Sequence, residues 1–374
     1  MKYFIIAGEA SGDLHASNMM KGIRQYDAEA QFTGWGGDLM QAGGLHLLKH
    51  IRELAFMGFT EVVANLRTIL RNFDLVKLQI IEYQPDALLL VDYPGFNMRM
   101  AKWAKMQGIK VYYYISPNVW AWKSNRVFHF KKYCEKLFVI LPFEQEFYSR
   151  YNIDVVYEGH PLIDAVESHR KITFNEFCAE NSLDGRPVIA LLAGSRKQEI
   201  SRMLPIMLSV VDDFPQYQFV VAGSPGIDKD YYSQYLRQAG AVLVMNKTYD
   251  VLSHAEIGLI KSGTATLEAA LLDVPQAVCY KAGLISVLIA AMVKKVKYIS
   301  LVNLIMNKAC VTELLQFRLN RNNLKKEIDS LLPDTARRKQ MLNDYADLRN
   351  RLGDPGSTVR VGAQIVKLMS DGSH

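Results

Sequence analysis

Ser262-Gly263-Thr264, with Glu268 one helical turn on, are residue types with which a chain can hold a nucleoside diphosphate. The apolar run 257–260 before them reads as a strand and 265–271 as a helix, with Pro275 beyond its end. Unpaired N–H groups and the positive end of a helix dipole at such a start suit a phosphate, and Glu268, on the same side as Thr264, suits a ribose. The same residues also read as an ordinary cap and a solvated helix position. A parallel pattern follows the apolar run 188–192: Gly194 and Ser195 allow close approach to the backbone, Arg196 offers a guanidinium to a diphosphate, and Glu199 lies in the helix that starts there. Asp92 stands directly after the apolar run 87–91, at a strand's carboxyl end, where a lone carboxylate is either a general base or a turn-former ahead of Pro94. The turn Gly8-Glu9-Ala10-Ser11-Gly12-Asp13 follows a first apolar strand. Its glycine spacing does not match the dinucleotide fingerprint, and Ser11 or Asp13 is expected to cap the helix after it whether or not a ligand binds.

The elements that must position these residues alternate regularly. Runs at 2–7, 31–37 (ending in a glycine turn), 86–91, 110–115 and 136–141 read as strands, each followed by a turn or a helical pattern, and 155–161 closes the first series. A second series begins after Pro187, with strands at 188–192, 218–223, 241–244 and 257–260. Continuous apolar runs of this kind indicate parallel sheets buried on both faces. The chain is therefore expected to be α/β, with two Rossmann-like open parallel-sheet domains and a boundary in the polar segment 164–187. His160, between Gly159 and Pro161, reads as a structural turn histidine. Two apolar stretches, 54–81 with Arg67, Arg71 and Lys77, and 282–293 ahead of Lys294, Lys295 and Lys297, are compatible with core packing or with a membrane interface.

Composition narrows the classes. With 374 residues and 49% hydrophobic content the chain has enough apolar material for two full cores. No run is long enough to span a bilayer, and the N-terminus lacks the pattern of a signal peptide, so a cytoplasmic protein is expected. Cys134, Cys178, Cys279 and Cys310 are widely spaced, which points to reduced, structural thiols and no zinc site. A formal charge of +6 is too diffuse to indicate nucleic acid and is compatible with phosphate-bearing or anionic lipid partners.

Taken together and in order, the motifs Ala7-Gly8-Glu9-Ala10-Ser11-Gly12-Asp13, Asp92-Tyr93-Pro94-Gly95-Phe96-Asn97, Ser116-Pro117-Asn118-Val119-Trp120-Ala121-Trp122, Leu141-Pro142-Phe143-Glu144, Gly194-Ser195-Arg196 and Ser262–Glu268 make the sequence resemble the lipid-A-disaccharide synthases over nearly its whole length. These are inverting glycosyltransferases of the GT-B fold, with two domains facing across a cleft. The resemblance implies an N-terminal acceptor and membrane-facing domain over 1–170, a UDP-sugar domain over 171–345, and a C-terminal helical segment 346–374 that returns to the first domain. It implies transfer from UDP-2,3-diacylglucosamine to 2,3-diacylglucosamine 1-phosphate, giving a β-1,6-linked disaccharide and UDP at the inner face of the inner membrane. It further implies Asp92 and Arg196 as catalytic residues, and Ser11, Gly12, Ser195, Glu199, Ser262, Gly263, Thr264, Glu268 and Asn303 as substrate-binding residues. No metal, cofactor or nucleic acid is implied, and exchange of the C-terminal segment in some members allows a homodimer. The sequence departs from the family pattern at Gly95, where a second acid is common, and at Asn307-Lys308, where an arginine is expected. Competing readings are another UDP-sugar transferase, a UDP-sugar epimerase of the same fold, or a non-catalytic lipid-binding protein that would need neither Asp92 nor Arg196.

Overall fold

A computed structural model describes residues 1–54, 66–121, 124–237, 240–281 and 297–371. The expected apolar stretch 282–293, residues 55–65 of the other stretch, and Trp122 and Lys123 lie outside the described residues. The chain divides into two compact units, one formed by 1–161 with 353–374 and the other by 162–352. The expected limits are 170 and 345. The differences have local reasons, because the helix Leu162–Glu167 packs on the helix Ala265–Leu271 and the helix Ala336–Leu352 stays with the second sheet.

The first unit is built on seven parallel strands, β1 (Lys2–Ala7), β2 (Gln31–Gly36), β3 (Leu45–His50), β4 (Ala87–Val91), β5 (Lys110–Tyr114), β6 (Lys136–Val139) and β7 (Val155–Tyr157). Their order is β3-β2-β1-β4-β5-β6-β7. β1 and β4 are the centre, and from Tyr3 to Ala7 and Ala87 to Val91 their residues are essentially free of solvent contact. Alternate side chains feed two apolar layers. One, around Ile5, Leu89 and Met19, lies under the helices Ala10–Tyr26 and Ser357–Asp371; the other, around Phe4, Leu90 and Val76, lies under the helix Leu66–Tyr83. The two helices of the first layer approach closely because Gly22 and Gly362 face their backbones. A Cβ on Gly362 would stand 2.6 Å from Met19 O, and one on Gly22 would stand 2.4 Å from Val359 O.

The second unit has six parallel strands, β8 (Val188–Leu192), β9 (Gln218–Gly223), β10 (Ala241–Met245), β11 (Ala255–Lys261), β12 (Gln276–Tyr280) and β13 (Thr312–Leu315), in the order β10-β9-β8-β11-β12-β13. In each sheet the chain works outward from one central strand, returns, and works outward the other way. The reversal lies between β1 and β4 in the first unit and between β8 and β11 in the second. Helices on either side of such a reversal diverge, leaving a crevice at the carboxyl ends of the two central strands. All four cysteines are free, and Cys279 and Cys310 are buried. His160 is buried at the end of the first unit, and burial, with a smaller contribution from His15, pulls its pKa down to about 3.

Candidate active site

Both groups of residues with site chemistry sit at these reversal points. In the second unit, the turns after β8 and β11 enclose a cavity of about 360 Å³ lined by Gly194, Ser195, Arg196, Ser224, Thr248, Lys261, Gly263, Thr264 and Glu268, among others. This is within the size range of small-molecule sites. The helices Lys197–Leu208 and Ala265–Leu271 both begin at it, so the positive ends of two helix dipoles accompany the cations Arg196 and Lys261. The seat is organised by Glu199. Its Oε2 accepts from the Ser195 N–H at 3.1 Å, and its Oε1 pairs with Lys261 Nζ at 3.0 Å. Gly194, at φ +114°, admits that carboxylate, since a Cβ there would stand 2.5 Å from Glu199 Oε2. Arg196 is largely exposed and its Nη1 lies 3.9 Å from Glu199 Oε1, which leaves its guanidinium able to meet an anion.

Glu268 is fixed at the other side of the same cavity. The Tyr249 hydroxyl donates to its Oε1 at 3.1 Å, and burial pushes its carboxyl above the usual range while that bond opposes the shift. Thr264 is exposed in the first turn beside it. Ser262 points elsewhere: its hydroxyl donates to the Ile299 carbonyl at 2.9 Å and ties the turn to the chain ahead of the helix Leu301–Met306. Asn303 is likewise spent within the protein. Its Nδ2 donates to Val311 O at 2.9 Å and Glu313 Oε1 at 3.0 Å, its Oδ1 accepts from the Val311 N–H at 2.9 Å, and it does not line the diphosphate-sized cavity. Lys308, in the pair Asn307-Lys308 where an arginine is expected, pairs with Asp344 at 2.7 Å.

In the first unit, Asp92 and Tyr93 follow β4 with φ of +49° and +50°, two successive left-handed non-glycine residues. Such positions cost about 1–3 kcal/mol each and persist only where the surroundings impose them. Here they are imposed by Asn97, fully buried, whose Nδ2 donates to the carbonyls of Asp92 at 2.9 Å, Ile6 at 3.2 Å and Val91 at 3.3 Å. The Tyr113 hydroxyl adds a bond to Asp92 O at 2.8 Å. Phe96 stacks on Tyr93 at 5.4 Å and on Phe73 at 4.1 Å, anchoring the turn to the helix Leu66–Tyr83. The Asp92 carboxyl is pushed up to about 6, first by burial and then by the neighbouring charge of Glu9, while the Tyr93 N–H acts in the opposite sense. That value suits a group that must take a proton near neutral pH.

Beside Asp92, the helix Ala10–Tyr26 starts after Glu9 with no side-chain cap, and Ser11 is exposed in its first turn next to buried Gly12. The expectation that Ser11 or Asp13 caps this helix is therefore corrected. Asp13 is turned sideways, and its carboxylate accepts from the N–H groups of Gly37, Leu39 and Met40 at 2.8, 3.0 and 3.0 Å, capping the neighbouring helix Asp38–Ala42. The loops after β5 and β6 are braced by buried Glu144, which accepts from the Ser116 hydroxyl at 3.0 Å and from the N–H groups of Ile140 and Leu141. Lys261, Tyr249, Asn97 and Tyr113 are site residues that the sequence reading passed over. Lys261 alone left a visible signal, a cation closing an apolar strand immediately before Ser262.

Comparison with known proteins gives the family and the fold class. The family model described as lipid-A-disaccharide synthetase matches residues 3–360. A lipid-A-disaccharide synthase of Syntrophus aciditrophicus is 36% identical, over 98% of this chain and 97% of that protein. Among solved structures, the UDP-N-acetylglucosamine 2-epimerase assigned in Listeria monocytogenes superposes with a TM-score of 0.69 at 14% identity, covering 100% of this chain and 97% of that one. The calicheamicin glycosyltransferase CalG4 superposes with a TM-score of 0.61 at 14% identity, covering 100% and 99%. At such identities the structures establish the fold, the GT-B class of two open parallel-sheet domains. The sequence match establishes the family: the chain belongs to the lipid-A-disaccharide synthases, glycosyltransferases that form the lipid A disaccharide.

Proposed function

We propose that this chain transfers the sugar of UDP-2,3-diacylglucosamine to 2,3-diacylglucosamine 1-phosphate, with Asp92 as the base and the cavity after β8 and β11 as the seat of UDP. The acceptor's 6-hydroxyl loses its proton to the Asp92 carboxylate as its oxygen bonds to the anomeric carbon. The bond from that carbon to the β-phosphate oxygen breaks, and UDP leaves with the electron pair, inverting the centre to β. Arg196, Lys261 and the helix starts at Gly194–Lys197 and Gly263–Ala265 counter the charge that grows on the departing diphosphate, and Glu268 holds the ribose. Ser11 and Gly12 line the acceptor side. The observation that carries this reading is the imposed left-handed turn at Asp92, which holds a carboxyl of raised pKa at the sheet's reversal point.

Acylated substrates would be met at a membrane surface, the inner face of the inner membrane. No helix among the described residues is long and apolar enough to cross a membrane. The helix Leu66–Tyr83 buries Phe73, Val76 and Ile80, yet leaves Leu70, Leu78 and Ile81 more than half exposed beside Arg71, an amphipathic face that supports peripheral contact. Incubation of the protein with both acylated sugars in detergent, followed by mass spectrometry, is expected to give the disaccharide 1-phosphate and UDP in equal amounts. An epimerised UDP-sugar, or no product from folded protein, would refute the assignment.

A further inference from the structure

Glu268 is aimed by a neighbour that is itself held from elsewhere in the 162–352 unit. Among the described residues its carboxylate meets one donor, the Tyr249 hydroxyl at 3.1 Å on Oε1, which leaves Oε2 for a ligand. Tyr249 belongs to the helix Thr248–Ser253, whose first residue lines the same cavity. A helix this short does not keep its place by its own hydrogen bonds. Val251 and Leu252 anchor its apolar side in the core, and the segment that opens the unit grips its polar side. Asp250 can only accept, so His169 carries its proton on Nε2 and donates to Asp250 Oδ1 at 2.8 Å. The His169 ring also lies 5.3 Å from that of Tyr249. The side chains of His169 and Asp250 are largely withdrawn from water, whereas the second link to this helix, Glu180 to Lys247, is exposed and holds it weakly.

The same segment also fixes the other partner of the Tyr249 bond. The helix Leu162–Glu167 packs on the helix Ala265–Leu271, which carries Glu268, and the His169 N–H bonds back to Val166 O at 3.3 Å. One short stretch, 162–169, therefore touches both helices whose side chains meet at the Tyr249–Glu268 bond.

We propose that His169 is a positioning residue for ribose recognition: by holding Asp250 it sets Tyr249, and through Tyr249 it fixes the Glu268 carboxylate for the ribose hydroxyls. This rests on the reading of the cavity as the UDP seat. His169 does not line that cavity and acts only through these contacts. A buried acceptor held in one orientation favours a ligand with both ribose hydroxyls, because a ligand that lacks one leaves part of the carboxylate unmet. A carboxylate free to turn discriminates less.

Titration calorimetry on the full chain tests this with UDP and 2′-deoxyuridine 5′-diphosphate as separate probes. The parent is expected to bind UDP at least about tenfold more tightly than the deoxy compound. His169→Phe keeps the ring and removes the donor; it is expected to bring the two affinities within about threefold, by weakening UDP while the deoxy compound changes by less than about twofold. Tyr249→Phe should reproduce that loss, and His169→Gln, whose amide can still donate to Asp250, should keep the parent ratio within about twofold. A parent-like ratio in His169→Phe overturns the proposal whatever Tyr249→Phe does. Equal weakening of both ligands in His169→Phe would reduce His169 to general support of the helix, and a loss in His169→Gln as large as in His169→Phe would exclude the Asp250 bond; either result overturns it as well. Failure of the parent to bind UDP would refute the seat itself, and the inference with it, so the two failures are told apart by the parent titration.

Discussion

At the scale of single residues, the account turns on the charge state of Asp92. If this carboxylate is the base, kcat/KM should fall with a single protonation below about pH 6, and Glu9→Gln should move that limb to lower pH by removing the neighbouring negative charge. The same shift is a stability statement. The folded chain holds the Asp92 proton more tightly than the unfolded chain does, so stability is lost as pH rises from about 4 to about 6 and stays lost above. Asp92→Asn should therefore raise thermal stability at pH 7, by about 1–3 kcal/mol, with the gain vanishing below about pH 4. A variant no more stable than the parent at pH 7 would show that the carboxylate is better solvated than its setting indicates. The place of Asp92 at a strand's carboxyl end was legible from the sequence, which left it either a base or a turn-former ahead of Pro94. Its supports were not: Asn97 and Tyr113 act on the Asp92 carbonyl, and no spacing rule marks a side chain that bonds to backbone five or twenty-one residues away. Ser262 and Asn303 show the converse, residue types apt for a ligand whose polar atoms are taken up by Ile299, Val311 and Glu313.

At the scale of elements, the strands that carry the site read clearly from the sequence because they are central and their inner residues are apolar. β3, β7, β12 and β13 did not. β3, β7 and β13 are edge strands whose residues are mostly half-buried, and β12 is a five-residue run opened by a glutamine directly after Pro275. Capping relations between elements were also hidden. Asp13 lies in one helix and satisfies the start of another, a link that only the fold creates. Removing it strands three backbone donors, two of whose bonds are buried. Asp13→Ala should therefore cost about 3 kcal/mol in urea unfolding of the full chain, while Ser11→Ala, exposed and without a capping bond, should cost less than about 0.5 kcal/mol. Equal costs would show that Asp13 is not the residue holding the Asp38–Ala42 helix.

For the molecule as a whole, two sheets of one design carry different chemistry at the same topological place. The first unit offers a carboxylate of raised pKa and is completed by the Ser357–Asp371 helix, which returns across the entire chain to lie on the Ala10–Tyr26 helix. The second offers cations and helix starts around a cavity of diphosphate size. The central claim is this division of labour: proton removal belongs to the first unit and leaving-group binding to the second. Its most direct test is the UDP dissociation constant, measured by calorimetry beside turnover of both acylated sugars, in Asp92→Asn and Arg196→Ala. Asp92→Asn should bind UDP within about twofold of the parent and lose at least about a hundredfold in turnover, whereas Arg196→Ala should weaken UDP by about tenfold and lose turnover as well. Parent-like turnover in Asp92→Asn, or undiminished UDP affinity together with full turnover in Arg196→Ala, would contradict it.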